Sequence, residues 1–294
     1  ASTALITVAI FDIIGVQGVN DSNLSAINSV LNTSAIEGTD VNSVEEIQQL
    51  VDSYATILLA ADGIANDSGN PELEDYLNLG ISGITSSVVI DFLASVLDVK
   101  RPSQVDEVNE IQQLVDALQG VLNSTAENGL PSKAQLELLG VENISDDNLA
   151  AVQVNISNNL NAISSLDDLQ TLTDEITQAI ERIVAAAEDN TASSNTLTLA
   201  TFETLGVTGV TTSNQDAIHS ALNTANVQGE DVTNQQQIQA IVDSYNSIFE
   251  AADNTANNSA ELVAADFTNI GLSGTLSSAA SNVLASVIDI KNIA

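Results

Sequence analysis

Cysteine is absent from this 294-residue sequence, which excludes a disulfide framework, a cysteine-based zinc site and a cysteine nucleophile together. Histidine occurs once, at His219. Basic residues are nearly absent too: Lys100, Arg101, Lys133, Arg182 and Lys291 stand against forty Asp and Glu, for a formal charge of −35. A surface so negative repels nucleic acid and anionic lipid, so neither is an expected partner, and it keeps an extended chain soluble. No apolar run approaches the roughly 18 residues that span a bilayer; the nearest, residues 88–93, is interrupted by Asp91. Ala1 does not open a basic-then-apolar signal peptide, so an export signal, if the chain is secreted, is expected outside this segment.

What is present is repetition. Gly15-Val16-Gln17-Gly18-Val19 is followed about thirty residues later by Glu46-Ile47-Gln48-Gln49-Leu50-Val51-Asp52-Ser53-Tyr54. The pair returns at Gly206-Val207-Thr208-Gly209-Val210 with residues 237–245, and more loosely after Gly80 and Gly140; Gly271 starts a truncated fifth copy. The first Gly recurs at spacings of 65, 60, 66 and 65 residues, the signature of an array. A longer period is superposed on it, since Gly15 to Gly206 and Gly80 to Gly271 are both 191 residues apart. Residues 93–100, Leu-Ala-Ser-Val-Leu-Asp-Val-Lys, return as Leu-Ala-Ser-Val-Ile-Asp-Ile-Lys at 284–291. The expected division is 1–66, 67–129, 130–195 and 196–258 as whole modules, with 259–294 as a partial one.

Each copy reads as three helices. Four and one residues before the first Gly stand Phe11 and Ile14, Tyr76 and Leu79, Leu136 and Leu139, Phe202 and Leu205, Phe267 and Ile270. That i, i+3 pair ahead of a glycine predicts a short helix ending in a left-handed residue. The second special position holds Gly18, Gly83, Gly209 and Gly274 but Asn143 in the third copy, which predicts positive φ there as well. Hydroxyls and carboxamides at residues 20–22, 85–87, 145–147 and 211–213 are expected to cap a second helix, whose buried stripe in the first copy is Leu24, Ile27, Val30 and Leu31. Ser43-Val44-Glu45-Glu46 and Thr233-Asn234-Gln235-Gln236 read as capping boxes for a third helix, with residues 165–168 a looser version. Its stripe is Ile47, Leu50, Val51, Tyr54, Ile57 and Leu58, repeated from Ile111 to Leu122 and from Ile238 to Phe249. Pro71 and Pro131 are expected at the first position of the following helix. Residues 62–70, 123–129 and 188–195 read as linkers.

Catalytic chemistry finds no parts. His219 takes the place of Asn28 in the first copy and is expected on the surface, off the buried stripe. The carboxylate pairs Glu45/Glu46 and Asp146/Asp147 stand at helix starts, where negative charge favours the dipole. No loop has the D-x-[DN]-x-[DN]-G calcium pattern; Asp62 with Asn66, Asp67 and Asn70 is the best oxygen-rich candidate, and a solvated linker is the preferred reading. No catalytic, cofactor or metal site is therefore expected, nor an enzyme.

At Gly15-Val16 and Ser43-Val44-Glu45-Glu46-Ile47 the unit resembles the albumin-binding GA module of bacterial surface proteins, a three-helix bundle with Gly-Val after its first helix and Thr-Val-Glu-Gly-Val leading into its third. It is also similar to the helical repeats of giant bacterial adhesins and surface-layer proteins. The resemblance implies an all-α tandem array of three-helix bundles, elongated, forming a structural spacer or stalk of a large secreted protein at the bacterial cell surface. Neighbouring modules, and other copies in a surface assembly, are then the implied partners. The alternative it carries is an array that binds a host or matrix protein. A binder would repeat an aromatic or Arg anchor on the second helix, where this sequence has residues 21–28, Asp-Ser-Asn-Leu-Ser-Ala-Ile-Asn.

Overall fold

A computed structural model describes residues 6–64, 70–125, 127–252, 254–255, 262–272 and 277–291. All regular structure among them is helical: α1 (Val8–Ile14), α2 (Leu24–Leu31), α3 (Val44–Ala60), α4 (Leu73–Asn78), α5 (Ser87–Leu97), α6 (Val108–Leu122), α7 (Lys133–Leu139), α8 (Leu149–Asn158), α9 (Leu166–Glu188), α10 (Leu199–Thr204), α11 (Gln215–Leu222), α12 (Gln235–Ala251), α13 (Ala264–Asn269) and α14 (Ser278–Ile288). Short 3₁₀ turns cover Pro102–Gln104, Leu160–Ala162 and Gly229–Asp231. The one β feature among the described residues is an isolated bridge between Thr125 and Gly129.

The chain forms two compact units. The first comprises Ala1–Glu142 and Asn159–Thr171. Phe11, Ile27, Leu50, Val51, Tyr54, Tyr76, Phe92, Leu93, Ile111 and Leu118 lie in its interior, each large apolar side chain contributing about 1.5–3 kcal/mol of burial. The second comprises Asn143–Asn158 and Leu172–Ala294 and buries Val152, Ile176, Ile183, Phe202, Ile218, Leu222, Ile238, Val242 and Phe267. The residue four before each repeat glycine is thus buried in every copy, as its spacing requires.

The special backbone positions hold. Gly15, Gly80, Gly140, Gly206 and Gly271 have φ between 68° and 107°, and Gly18, Gly83 and Gly209 lie between 83° and 89°. Asn143 adopts 63°, so the position selects for the left-handed region and accepts Asn, whose carboxamide costs least there.

The two linked signatures turn out to be one hydrogen-bonded clamp. Gln48 accepts from Gln17 N at 2.7 Å and donates through Nε2 to Gln17 O at 3.1 Å. Gln112 holds Ser82, Gln170 holds Glu142 and Gln239 holds Thr208 in the same reciprocal way. A side-chain carboxamide so satisfies both backbone groups of a residue that is in no helix, at roughly 0.5–1.5 kcal/mol per bond. The Asp four residues on accepts the second amide proton at 2.8 Å in three copies: Asp52, Asp116 and Asp243.

Three local expectations are corrected. Residues 20–22 and 211–213 do not cap the second helix through their own side chains; like residues 145–147, they lie ahead of it. They form a turn closed by the buried amides Asn23, Asn148 and Asn214. Each accepts from the first turn residue (Asn20, Ser145, Thr211) at 2.7–2.8 Å and donates to the carbonyl of Gly18, Asn143 or Gly209 at 2.7–2.8 Å. Only Ser86 caps as expected, accepting from Val89 N at 3.4 Å. The box at Ser43 and Glu46 forms as read, but at α12 it slips by one: Asn234 is the N-cap, and Gln237 Oε1, not Gln236, accepts from Thr233 N at 2.8 Å. Pro71 and Pro131 lie two residues before the first helical position, because Glu72 and Ser132 are the N-caps and the helices begin at Leu73 and Lys133. Both prolines are buried, so they serve packing where a capping side chain already supplies the first-turn acceptor.

Candidate functional site: the junctions between sequence copies

The residues weighed for chemistry are dispersed. Glu46 accepts from Asn42 N and Ser43 N at the start of α3, a capping role. Asp146 and Asp147 precede α8, and Asp147 accepts from Thr233 Oγ1 at 3.4 Å. Asp62 accepts from Ile64 N at 2.8 Å; Asn66 and Asp67 lie outside the described residues. No group of three or more His, Asp or Glu side chains is arranged to hold a metal ion among the described residues.

His219 corrects the sequence reading, because it is 3% exposed rather than on the surface. Its ring lies 6.4 Å from that of Phe202, centroid to centroid, at an interplanar angle of 29°. Nε2 is 3.0 Å from Leu197 O. A carbonyl only accepts, so Nε2 carries the proton, and Nδ1 is left buried without a partner. Burial pushes the imidazole pKa below its ordinary range, while the Leu197 carbonyl and the Asp216 carboxylate pull the other way. Asn28 does the same positional work in the first copy, bonding both backbone groups of Ile6 at 2.9 Å. The equivalence of His219 and Asn28 carried the signal: a polar residue at the same place in two copies pins the segment before the first helix. It was not a solvated face.

What recurs, with different donors from junction to junction, is the seam between one copy and the next. The first helix of a copy packs on the third helix of the copy before it, α4 on α3, α7 on α6 and α13 on α12. Asn78 Nδ2 donates to Ser53 Oγ at 3.0 Å, and 191 residues later Asn269 donates to Ser244 Oγ, also at 3.0 Å. Helix ends leave carbonyls without intrahelical partners, and the preceding copy supplies donors to them. Lys100 Nζ reaches Leu138 O at 2.7 Å, Asn155 Nδ2 reaches Thr204 O at 2.9 Å, and Asn226 Nδ2 reaches Gly271 O at 2.8 Å. Lys100 is buried, which lowers its pKa. Third-helix starts are served likewise, for Ser29 Oγ accepts from Val108 N at 2.8 Å and Ser95 Oγ from Leu166 N at 2.9 Å.

The repeat glycines belong to this seam. A Cβ on Gly80 would lie 2.6 Å from Ala35 Cβ, one on Gly140 3.4 Å from Val99 Cγ2, and one on Gly206 3.0 Å from Val154 Cγ1. On Gly271 it would collide with the Thr224 side chain. Their absent side chain is therefore required twice, for positive φ and for close approach of the preceding copy. Beside the Gly80 seam lies a recess of about 470 Å³, walled by Ser29, Asn32, Ser82, Asn109 and Gln112, with Asp116 the only titratable group on it. Such a wall offers hydrogen bonds but no acid–base or nucleophilic pair.

Among the described residues no helix is long and apolar enough to cross a membrane. Compared with known proteins, the chain matches no protein-family model, no curated protein and no solved structure.

Proposed function

We propose that this chain is a tandem array of three-helix modules that serves as the spacer or stalk region of a large, secreted bacterial surface protein, an adhesin or surface-layer component. The observation that carries this reading is the seam. A recurrent share of the polar chemistry outside helix caps joins one copy to the next, at Lys100–Leu138, Asn155–Thr204, Asn226–Gly271 and the Asn–Ser pairs. An enzyme or receptor concentrates unusual residues at one place; here they recur at every repeat. A net charge of −35 also suits a chain that must stay extended and unaggregated, because like charges along an array repel. The modules are small, and about 60-residue domains bury only about 60% of their unfolded surface, so contacts between neighbours are what make each one stable.

Small-angle scattering of the purified chain tests the array. A compact globule of this length has a radius of gyration of about 19 Å, and an end-to-end array exceeds it well; a value near that of the globule overturns the proposal. A stoichiometric partner recovered from serum or extracellular matrix would instead favour a binding array.

A further inference from the structure

The surface of the first helix of the first copy differs from that of its equivalents. Ile10, Ile13 and Ile14 are 46%, 83% and 40% exposed. Of the residues equivalent to Ile14, Leu79, Leu139 and Leu205 are each 0% exposed and Ile270 is intermediate. Gly15 keeps the left-handed φ of 88° but has nothing within 4 Å of where a Cβ would stand, unlike Gly80, Gly140, Gly206 and Gly271. This helix thus carries the full set of seam features, apolar face, terminal glycine and end carbonyls, with the seam itself vacant.

From this equivalence we infer that the α1 face formed by Ile10, Ile13, Ile14 and Gly15 is a docking surface for the second and third helices of another repeat of this type. The reading of the chain as an array is its premise. The 191-residue period specifies the occupant further. Residues 1–14 align with 192–205 without a gap, Ile6-Thr7-Val8-Ala9 on Leu197-Thr198-Leu199-Ala200 and Phe11 on Phe202, so α1 corresponds to α10. What meets Gly206 and Thr204 in that setting is α8, through Val154 and Asn155. The occupant therefore has the sequence character of the third copy: a β-branched apolar residue under Gly15 and, beside it, a carboxamide to donate to the carbonyl of Ile13. Three side chains of this face differ from the α10 seam: Ile14 replaces Leu205, an apolar exchange of the same size, and Ile10 and Ile13 replace Thr201 and Thr204. Burying Ile in place of Thr adds apolar area without stranding a hydroxyl, so this seam is at least as favourable as the one that α10 makes.

The chain lacks cysteine, which makes one introduced thiol a clean reporter. The protein to build places residues 1–191 directly ahead of residues 1–294, so that residue 191 meets Ala1 as it meets Ala192. Two single-cysteine variants follow, Ile14→Cys in the leading block and Ile14→Cys in the trailing block. The trailing thiol is expected to react with an alkylating reagent at least about tenfold more slowly, because it becomes reachable only through local opening. Amide exchange of residues 11–16, compared without any substitution between the extended protein and the 294-residue chain, should show the same protection and does not depend on how the cysteine is tolerated. Equal labelling of the two thiols with unchanged amide exchange overturns the inference. Protection that grows with concentration in the 294-residue chain alone overturns it too, since the occupant is then a second copy of the chain. Scattering on the extended protein separates the two levels. An elongated particle with equally reactive thiols leaves the array standing and removes the docking surface; a compact particle with a protected trailing thiol does the reverse.

Discussion

The first and fourth copies, offset by 191 residues, align without a gap, yet they are finished differently. Phe11 and Phe202 are both buried, Gln48 and Gln239 make the same clamp, and Asn23 and Asn214 close the same turn. Tyr54 and Tyr245, in contrast, share a place in the third helix but not an environment. Tyr54 is fully buried and its hydroxyl donates to Val105 O at 2.8 Å, with its pKa raised by burial and then by Asp106, Glu110 and Glu107. Tyr245 is half-buried and lies 5.8 Å from the Phe249 ring, centroid to centroid. No residue of this sequence stands in Val105's place for the fourth copy. Likewise Phe92 and Val96 on α5 are fully buried, with α6 packed beside them, while their equivalents on α14, Val283 and Val287, are exposed. Similar local sequence therefore yields the same helices, and the neighbouring copy decides which faces are interior.

The sharpest way to test the sameness of the two copies is to empty their cores. Phe11→Ala and Phe202→Ala should each cost about 3–5 kcal/mol, read from the loss of amide protection in α2–α3 and in α11–α12. A marked asymmetry would break the equivalence. The tyrosines should then separate the copies. Tyr54→Phe leaves the Val105 carbonyl buried without its donor and should cost about 1–3 kcal/mol, whereas Tyr245→Phe at a half-open position should cost under about 0.5 kcal/mol. Urea titration of the two variants checks this, and comparable losses would mean that the interior of the first copy does not depend on the second.

A smaller difference is expected at the repeat glycines. Gly15→Ala and Gly206→Ala both force a left-handed alanine, but only the second brings a methyl to 3.0 Å from Val154 Cγ1. The second should therefore lose about 1 kcal/mol more, and equal losses would show that Val154 yields freely. Smallest of all is the effect of the one imidazole. The folded pKa of His219 is lowered by burial, so below the ordinary histidine value of 6.5 the unfolded chain binds more protons than the folded one. That contribution to stability is complete above this value and is lost as pH falls through it. The melting temperature between pH 7.5 and 5.5 should accordingly fall less steeply in His219→Asn, and more steeply in Asn28→His if the first copy buries its polar residue in the same way. Superimposable pH profiles for all three proteins would mean the ring is not held neutral.

Much of the helical pattern was legible because it is local. Period-3.6 stripes placed Leu50, Val51, Ile111, Leu114, Ile238 and Val242 in the interior, and Gly or Asn143 marked positive φ, since sterics at one residue suffice for that. Errors arose wherever a second segment decides. His219 looked like a surface residue because its partner, Leu197 O, lies 22 positions away in a stretch with no helical period. The recurring Asn23, Asn148 and Asn214 went unread as turn locks because a carboxamide before a helix ordinarily caps it, and only the folded turn turns it back toward Gly18, Asn143 or Gly209. Pro71 and Pro131 stand two positions before the helix for a local reason, since the adjoining Glu72 and Ser132 take the cap.

By itself, then, the sequence determined what depends on few neighbouring residues: an all-helical chain, its repeat period, the left-handed positions and the apolar stripe of each helix. Only the tertiary structure decided that first helices lean on the preceding copy's third helix, that Gly80 and Gly206 are needed for approach as well as for φ, and that α1 carries an open seam. Those outcomes rest on burial and hydrogen-bond partners tens of residues apart. A one-dimensional pattern contains the donors and acceptors for them but not their pairing.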